Sequence, residues 1–283
     1  MSGVLQPLTP AELENWRRYI GRTSFHEQFL DVESLRRYAV AVGSTPEVEK
    51  SQPPIAHWAY FSDAVAQSQL GLDGHPQRGV GLIPPIRLKR RMFAASSIRY
   101  SKPLELNQHA RLKLEIIGLN HKAGSSGDLV FVELQRTFTQ HGRERITEQQ
   151  TIVYLESSGA GTGVVSHTPT AEPPDADLWE PNAVEVFRFS AATFNAHRIH
   201  YDLPYAQGVE GYSNLVVQGP LTAAKLHAFA QSCSPKPMTS FAFRTRAPLF
   251  INQPVRLRRN PGDHSFEAVR CDGVVAVTAQ ATS

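Results

Sequence analysis

Cysteine is scarce in this chain of 283 residues: Cys233 and Cys271 stand alone, with no C-x-x-C spacing. That argues against a disulfide framework or a zinc site and suggests two reduced core residues of a cytosolic protein. Charge of one sign is lacking too. Lys and Arg total 29 against 26 for Asp and Glu, a net of +3, so nothing points to nucleic acid or a membrane surface as partner. No apolar run approaches the roughly 18 residues of a membrane span. The N-terminal stretch MSGVLQPLTPAELENW has neither a basic start nor an apolar centre. It reads as a capped helix rather than a signal peptide, with Thr9 as N-cap, Pro10 first, Glu12 closing a capping box and Gly21 as the stop. The expected location is the cytoplasm. Hydrophobic residues make up 41%, enough to bury a core.

What the chain does have is repetition. IRYSKPLELNQHARL (98–112) and FRTRAPLFINQPVRL (243–257) share R-x-x-x-P-L-x-x-N-Q-x-x-R-L at one offset of 145 residues. The pairs include Arg99 with Arg244, Leu104 with Leu249, Asn107 with Asn252 and Leu112 with Leu257. Alternating runs separated by turn signals follow each copy. In the first half they are RLKLEII, LVFVELQRTFTQ and RITEQQTIVYL; in the second, VRLRR, FEAVR and VVAVTAQA. Period-2 patterning of this kind predicts antiparallel meanders with one buried face. A helical stretch precedes each meander: PLTAAKLHAFAQS (220–232), and its expected counterpart PIAHWAYFSDAVAQSQL (54–70). The Gly/Ser/Thr/Pro-rich segment 157–180 reads as a linker between an N-terminal unit, 1–156, and a C-terminal unit, 181–283. Its G-A-G-T-G is not a nucleotide loop, because the Pro-rich sequence after it cannot open a helix.

The polar stretch TFNAHRIHYDLPYAQ (193–207) is either a solvated His-rich loop or a site. Aligned at an offset of 159, Asp31 and Ser190 become equivalent helix N-caps. Asn195 then meets Arg36 and His200 meets Ala41, so only the second half keeps the polar pair. Asn195 and His200 would point about 140° apart on a regular helix, so their cooperation requires a broken segment.

FNAHRIHYD and EGYSNLVVQGPL, with GHPQRGVGLIPPIRLKRRMFAASSIRY (74–100), resemble the FAS1-like dehydratase group of the MaoC-like hydratases. Within that group they are similar to hydratases of itaconyl-CoA and mesaconyl-C4-CoA and to mitochondrial hydroxyacyl-thioester dehydratases. The resemblance implies an α+β double hotdog: two tandem units, each a helix wrapped by an antiparallel sheet, the N-terminal one shaping a pocket and the C-terminal one catalytic. The wider family carries D-x-N-P-x-H; here the same spacing runs from Asn195 to His200, with the His kept and the Asp replaced by an amide.

Hydration of an enoyl thioester needs a base for the attacking water and a donor for the thioester oxygen. His200 suits the first role as general base and acid. Asn195, which does not titrate, suits positioning. Gly219, just before the helix at Pro220, suits the oxyanion contact. Arg198, Arg90 and Arg91 are candidates for a substrate carboxylate or the CoA phosphates, and Tyr201, Tyr205 and Tyr212 for the pocket wall. No metal or cofactor beyond the CoA of the substrate is expected, and the chain is expected to form a homo-oligomer, a dimer first. The rival readings are a 3-hydroxyacyl-thioester dehydratase of fatty-acid synthesis, a thioesterase and a non-catalytic acyl-CoA-binding protein. GYSNL does not complete G-x-S-x-G, which removes a serine hydrolase.

Overall fold

The computed structural model describes residues 7–124, 127–156, 176–260 and 265–283. Ten strands form one antiparallel sheet: β1 (Thr23–Phe29), β2 (Arg90–Tyr100), β3 (His109–Gly124), β4 (Gly127–Gln140), β5 (Arg143–Leu155), β6 (Ala176–Trp179), β7 (Ser240–Thr245), β8 (Val255–Arg259), β9 (Phe266–Arg270) and β10 (Val275–Thr282). Their order is β1-β3-β4-β5-β2-β7-β10-β9-β8-β6, so the second half mirrors the first across the β2/β7 seam. At that seam Ser97 pairs with Ala242, its own mate at the 145-residue offset. The repeat in the sequence is therefore a pseudo-twofold axis in space. Asn107 and Asn252 confirm it: both adopt left-handed backbone, φ 56 and φ 58, which Asn tolerates better than most residues. Leu104, Leu249, Leu112 and Leu257 are all buried. The double hotdog is thus the architecture of the described chain.

Five helices accompany the sheet: α1 (Pro10–Arg17), α2 (Val32–Ala41), α3 (Ala183–Ala192), α4 (Leu203–Gly208) and α5 (Gly219–Ser232). The capping box on α1 is present as read, Thr9 with Glu12. The helix ends at Arg17, before Gly21, which turns at φ +86. The apolar face read on α5 is buried: Leu221, Ala224, Leu226, Phe229 and Ala230. α5 packs on β7 to β10 as the central helix of the second unit.

Four expectations need correction. The first concerns 54–70, which holds two short 3-10 turns, Ala56–Ala59 and Gln67–Gln69, and no α-helix. Ile55 and Phe61 sit at positive φ, and Ile55 through Tyr60 are buried without interruption. A helix on a sheet hides one face; six consecutive buried residues leave no wet one. The second is the 159 offset. Asn182, not Ser190, caps α3, and Asp31 caps α2, so the helices correspond at 151. Tyr38 and Phe189, mates at that offset, touch at 6.1 Å between ring centroids. Ser190 lies inside α3, where its Oγ accepts from Gln218 Nε2. Asn195 and His200 then fall opposite Ser44 and Glu49, and the asymmetry between the halves survives. Third, Ala176–Trp179, assigned to the linker, forms the edge strand β6 on β8; 157–175, with the G-A-G-T-G motif, lies outside the described residues. Fourth, Cys233 is exposed at the end of α5 rather than in the core.

Candidate active site

The stretch 193–207 is broken, as cooperation of its polar pair requires. α3 ends at Ala192, Phe194 turns at φ 52, Arg198–His200 is a 3-10 turn, and α4 starts at Leu203 with Asp202 as its cap. Two cross-ties hold this loop to the segment before α5. Val216 N–H donates to the Ile199 carbonyl at 3.0 Å, and His200 Nδ1 lies 2.7 Å from the Val216 carbonyl oxygen. A carbonyl can only accept, so Nδ1 carries the proton and Nε2 keeps its lone pair. His200 is 7% exposed, and burial pulls its pKa down to about 4 against the partial support of the Val216 carbonyl. At neutral pH it is an uncharged imidazole of fixed tautomer, the form a base must have.

Asn195 Oδ1 accepts from His197 N–H at 3.1 Å, which leaves the amide NH2 unspent. Asn195 and Pro220 line one cavity of about 200 Å³. Gly219 and Leu221, on either side of Pro220, sit in the first turn of α5, where N–H groups have no intrahelical acceptor. A Cβ on Gly219 would lie 2.8 Å from Thr245 Cγ2, so only glycine lets the helix start this close to the seam. Gln218 ties the same turn to α3 by donating to the Val186 carbonyl at 2.9 Å.

Phe189 and Thr193 add to this wall from the second half, and the rest comes from the first: Trp58, Tyr60, Phe61 and Ser62 from the broken segment, Phe93 from β2, and Arg136 and Gln150 from β4 and β5; neither His200 nor Gly219 is among the lining residues. The absence of a central helix at 54–70 is what leaves this space. Beneath it Glu148, fully buried, accepts from Trp58 Nε1, Ser96 Oγ, Gln150 Nε2 and Arg136 Nη1 and meets His57 Nε2 at 3.1 Å. Burial pushes its carboxyl up, but Arg136 and these donors outweigh it and hold the pKa at about 2. None of these residues stands out in the sequence, because aromatic and amide side chains on alternating strands look like ordinary sheet.

His75 is a further residue that the sequence reading passed over. Its ring lies 4.3 Å from that of His197, which in turn is 5.3 Å from that of His200, centroid to centroid. A Gly-rich loop carries it there: the Asp73 carbonyl accepts from Arg198 N–H, and a Cβ on Gly74 would fall 1.9 Å from the Ala196 carbonyl oxygen. The signal was the GHPQRG run itself, whose first glycine has φ +85.

The other candidates brace the loop. Arg198 pairs with Asp202 and stacks 4.1 Å over Tyr205. Arg90 pairs with Glu210 at 2.9 Å and lies over Tyr212. Tyr205 donates to Glu210, and Tyr201, half exposed, donates to the Ala196 carbonyl. Among the described residues no cluster of His, Cys, Asp and Glu could hold a metal ion, and no helix is long and apolar enough to cross a membrane.

The family model for hydroxyacyl-thioester dehydratase type 2 matches residues 55–251. A mesaconyl-C(4)-CoA hydratase of Chloroflexus aurantiacus is 44% identical over 278 residues, covering 94% of this chain and 96% of the relative. A mitochondrial hydroxyacyl-thioester dehydratase type 2 of Schizosaccharomyces pombe is 29% identical over 237 residues, covering 73% and 77%. A solved Mycobacterium tuberculosis protein with a double hotdog fold is similar in structure at a TM-score of 0.53 and 14% identity, covering 93% of this chain and 95% of the other.

Proposed function

The chain belongs to the hydroxyacyl-thioester dehydratase type 2 family, MaoC-like hydro-lyases of thioesters, and from that premise we propose that it reversibly hydrates a short unsaturated dicarboxylyl-CoA, mesaconyl-C4-CoA or itaconyl-CoA, to citramalyl-CoA. His200 Nε2 takes a proton from water as its oxygen attacks the β-carbon. In mesaconyl-C4-CoA, whose double bond is conjugated with the thioester, the electron pair moves onto the thioester oxygen, where the Gly219 N–H receives the developing charge; itaconyl-CoA, whose double bond lies between the β- and γ-carbons, enters this step after a proton leaves its α-carbon and another is added at its γ-carbon. The imidazolium then returns the proton to the α-carbon. Asn195 positions the water. No resident cofactor takes part.

The observation that carries this reading is the Nδ1 contact of His200 with the Val216 carbonyl, which leaves a free Nε2 on a neutral ring. The substrate class is supported by the 44% identical relative, a mesaconyl-C(4)-CoA hydratase. The family description supports a second reading, a 3-hydroxyacyl-thioester dehydratase of fatty-acid synthesis, which needs a longer tunnel. The test is product formation, followed by mass spectrometry, from mesaconyl-C4-CoA, itaconyl-CoA, crotonyl-CoA and trans-2-decenoyl-CoA. The dicarboxylyl esters should be hydrated fastest. Preference for the decenoyl ester would favour the second reading, and no product from any would overturn both.

A further inference from the structure

We infer that Arg91, on β2 beside the loop that carries His75, is the cation that recognises a carboxylate on the β-carbon of the acyl group and so makes the site selective for dicarboxylyl thioesters. This rests on the hydration reading above and narrows its substrate recognition to one residue. Arg90 is paired with Glu210, Arg136 with Glu148 and Arg198 with Asp202. Arg78 gives its Nη2 to the Leu88 and Lys89 carbonyls. Arg91 has no carboxylate partner among the described residues, and its Nη2 is buried without a hydrogen bond. A buried guanidinium N–H with no acceptor is costly and uncommon, and a carboxylate that arrives with the substrate would satisfy it.

Position narrows the choice of ligand. Arg91 stands on β2 opposite Tyr154, whose ring is covered at 5.0 Å by Arg78 of the loop that carries His75, and its charge adds to the burial and neighbouring imidazoles that pull His75 and His197 well below the usual pKa range. Both rings are therefore neutral, able to donate an N–H to an anion without adding charge. The rings run His75, His197, His200 in unbroken contact, so the anion site abuts the base. In mesaconyl-C4-CoA the free carboxylate is bonded to the carbon that water attacks, so its cation has to stand beside the base. The phosphates of CoA are a whole pantetheine arm away from that carbon and do not fit this place.

The probes are succinyl-CoA and butyryl-CoA, saturated thioesters that differ in carrying a carboxylate or a methyl group on the β-carbon. Titration calorimetry on the full chain should give about 10- to 100-fold tighter binding of succinyl-CoA, the range expected of one charge-assisted contact. In Arg91→Met that ratio should fall to about one. In Arg91→Lys, which keeps the charge but loses the planar fork, it should be intermediate. Equal affinity of the wild-type protein for the two esters overturns the assignment without any variant, and so does an Arg91→Met protein that keeps the ratio. Because neither ester can be hydrated, the result is independent of turnover: a preference for succinyl-CoA in a protein that hydrates nothing would sink the hydration reading and leave Arg91 in place.

Discussion

At the scale of single residues, histidine burial sets the pH behaviour. His200 and His227 are both pulled down to about 4, chiefly by burial, and His57, His75 and His197 are displaced in the same direction. The proposed base, His200, is then neutral across the physiological range, and kcat/KM for hydration should be flat from about pH 5 to 8. An acid limb near 6.5, where an unburied imidazole titrates, would contradict this. Stability should not be flat. With folded values below and unfolded values near 6.5, the unfolded chain binds more protons in the window from about pH 6.5 to 4. The burial therefore costs nothing above 6.5 and destabilises increasingly as pH falls, by at most roughly 3 kcal/mol for His200 alone. Glu148, held at about 2, begins to lose its contribution only as pH falls past the ordinary carboxylate value of about 4.5, and that loss is also destabilising, so it does not mask the trend. The midpoint of urea unfolding should fall between pH 7 and pH 5, and a midpoint that rises over that interval would refute the titration argument.

At the scale of elements, the site is a junction of two loops and a helix start, and Gly74 is its tightest contact. With φ +85 and a Cβ position 1.9 Å from the Ala196 oxygen, Gly74→Ala must push the 71–78 loop off the motif that carries Asn195 and His200. The expected result is a loss of about 1–3 kcal/mol of stability with at least a tenfold fall in kcat/KM; an alanine variant of normal rate would show that the loop does not shape the site. This level was the least legible in the sequence. The strands of the two meanders were readable because period-2 alternation and the 145-residue echo mark them, whereas β1 went unread and β6 was taken for linker. The segment 54–70 was not, because its apolar residues reflect burial on every side around Glu148 rather than one face of a helix. The α2/α3 correspondence was misplaced because Ser190 has the chemistry of a cap but spends its hydroxyl on Gln218. The broken backbone between Asn195 and His200, by contrast, was legible as the condition that helical geometry sets on their cooperation.

At the scale of the whole molecule, duplication allowed the halves to diverge. The seam from Ala95↔Arg244 to Arg99↔Ser240 makes one sheet of two units. The second unit keeps its long helix, whose first turn supplies the N–H donors. The first has two 3-10 turns over 54–70 instead, and Trp58, Tyr60 and Phe61 of that segment line the cavity. That division was legible as an asymmetry in the repeat, with Asn195 and His200 on one side only. The wall of the cavity was not, since nothing in the pattern of β4 or β5 marks Arg136 or Gln150. The central claim is that the C-terminal half performs proton transfer while the N-terminal half shapes the binding cavity. It is tested most directly by measuring kcat on mesaconyl-C4-CoA, alongside the Kd of succinyl-CoA, in His200→Ala. A fall in kcat of about two to four orders of magnitude with Kd changed by less than about threefold is expected; near-normal turnover in a folded His200→Ala protein would contradict it.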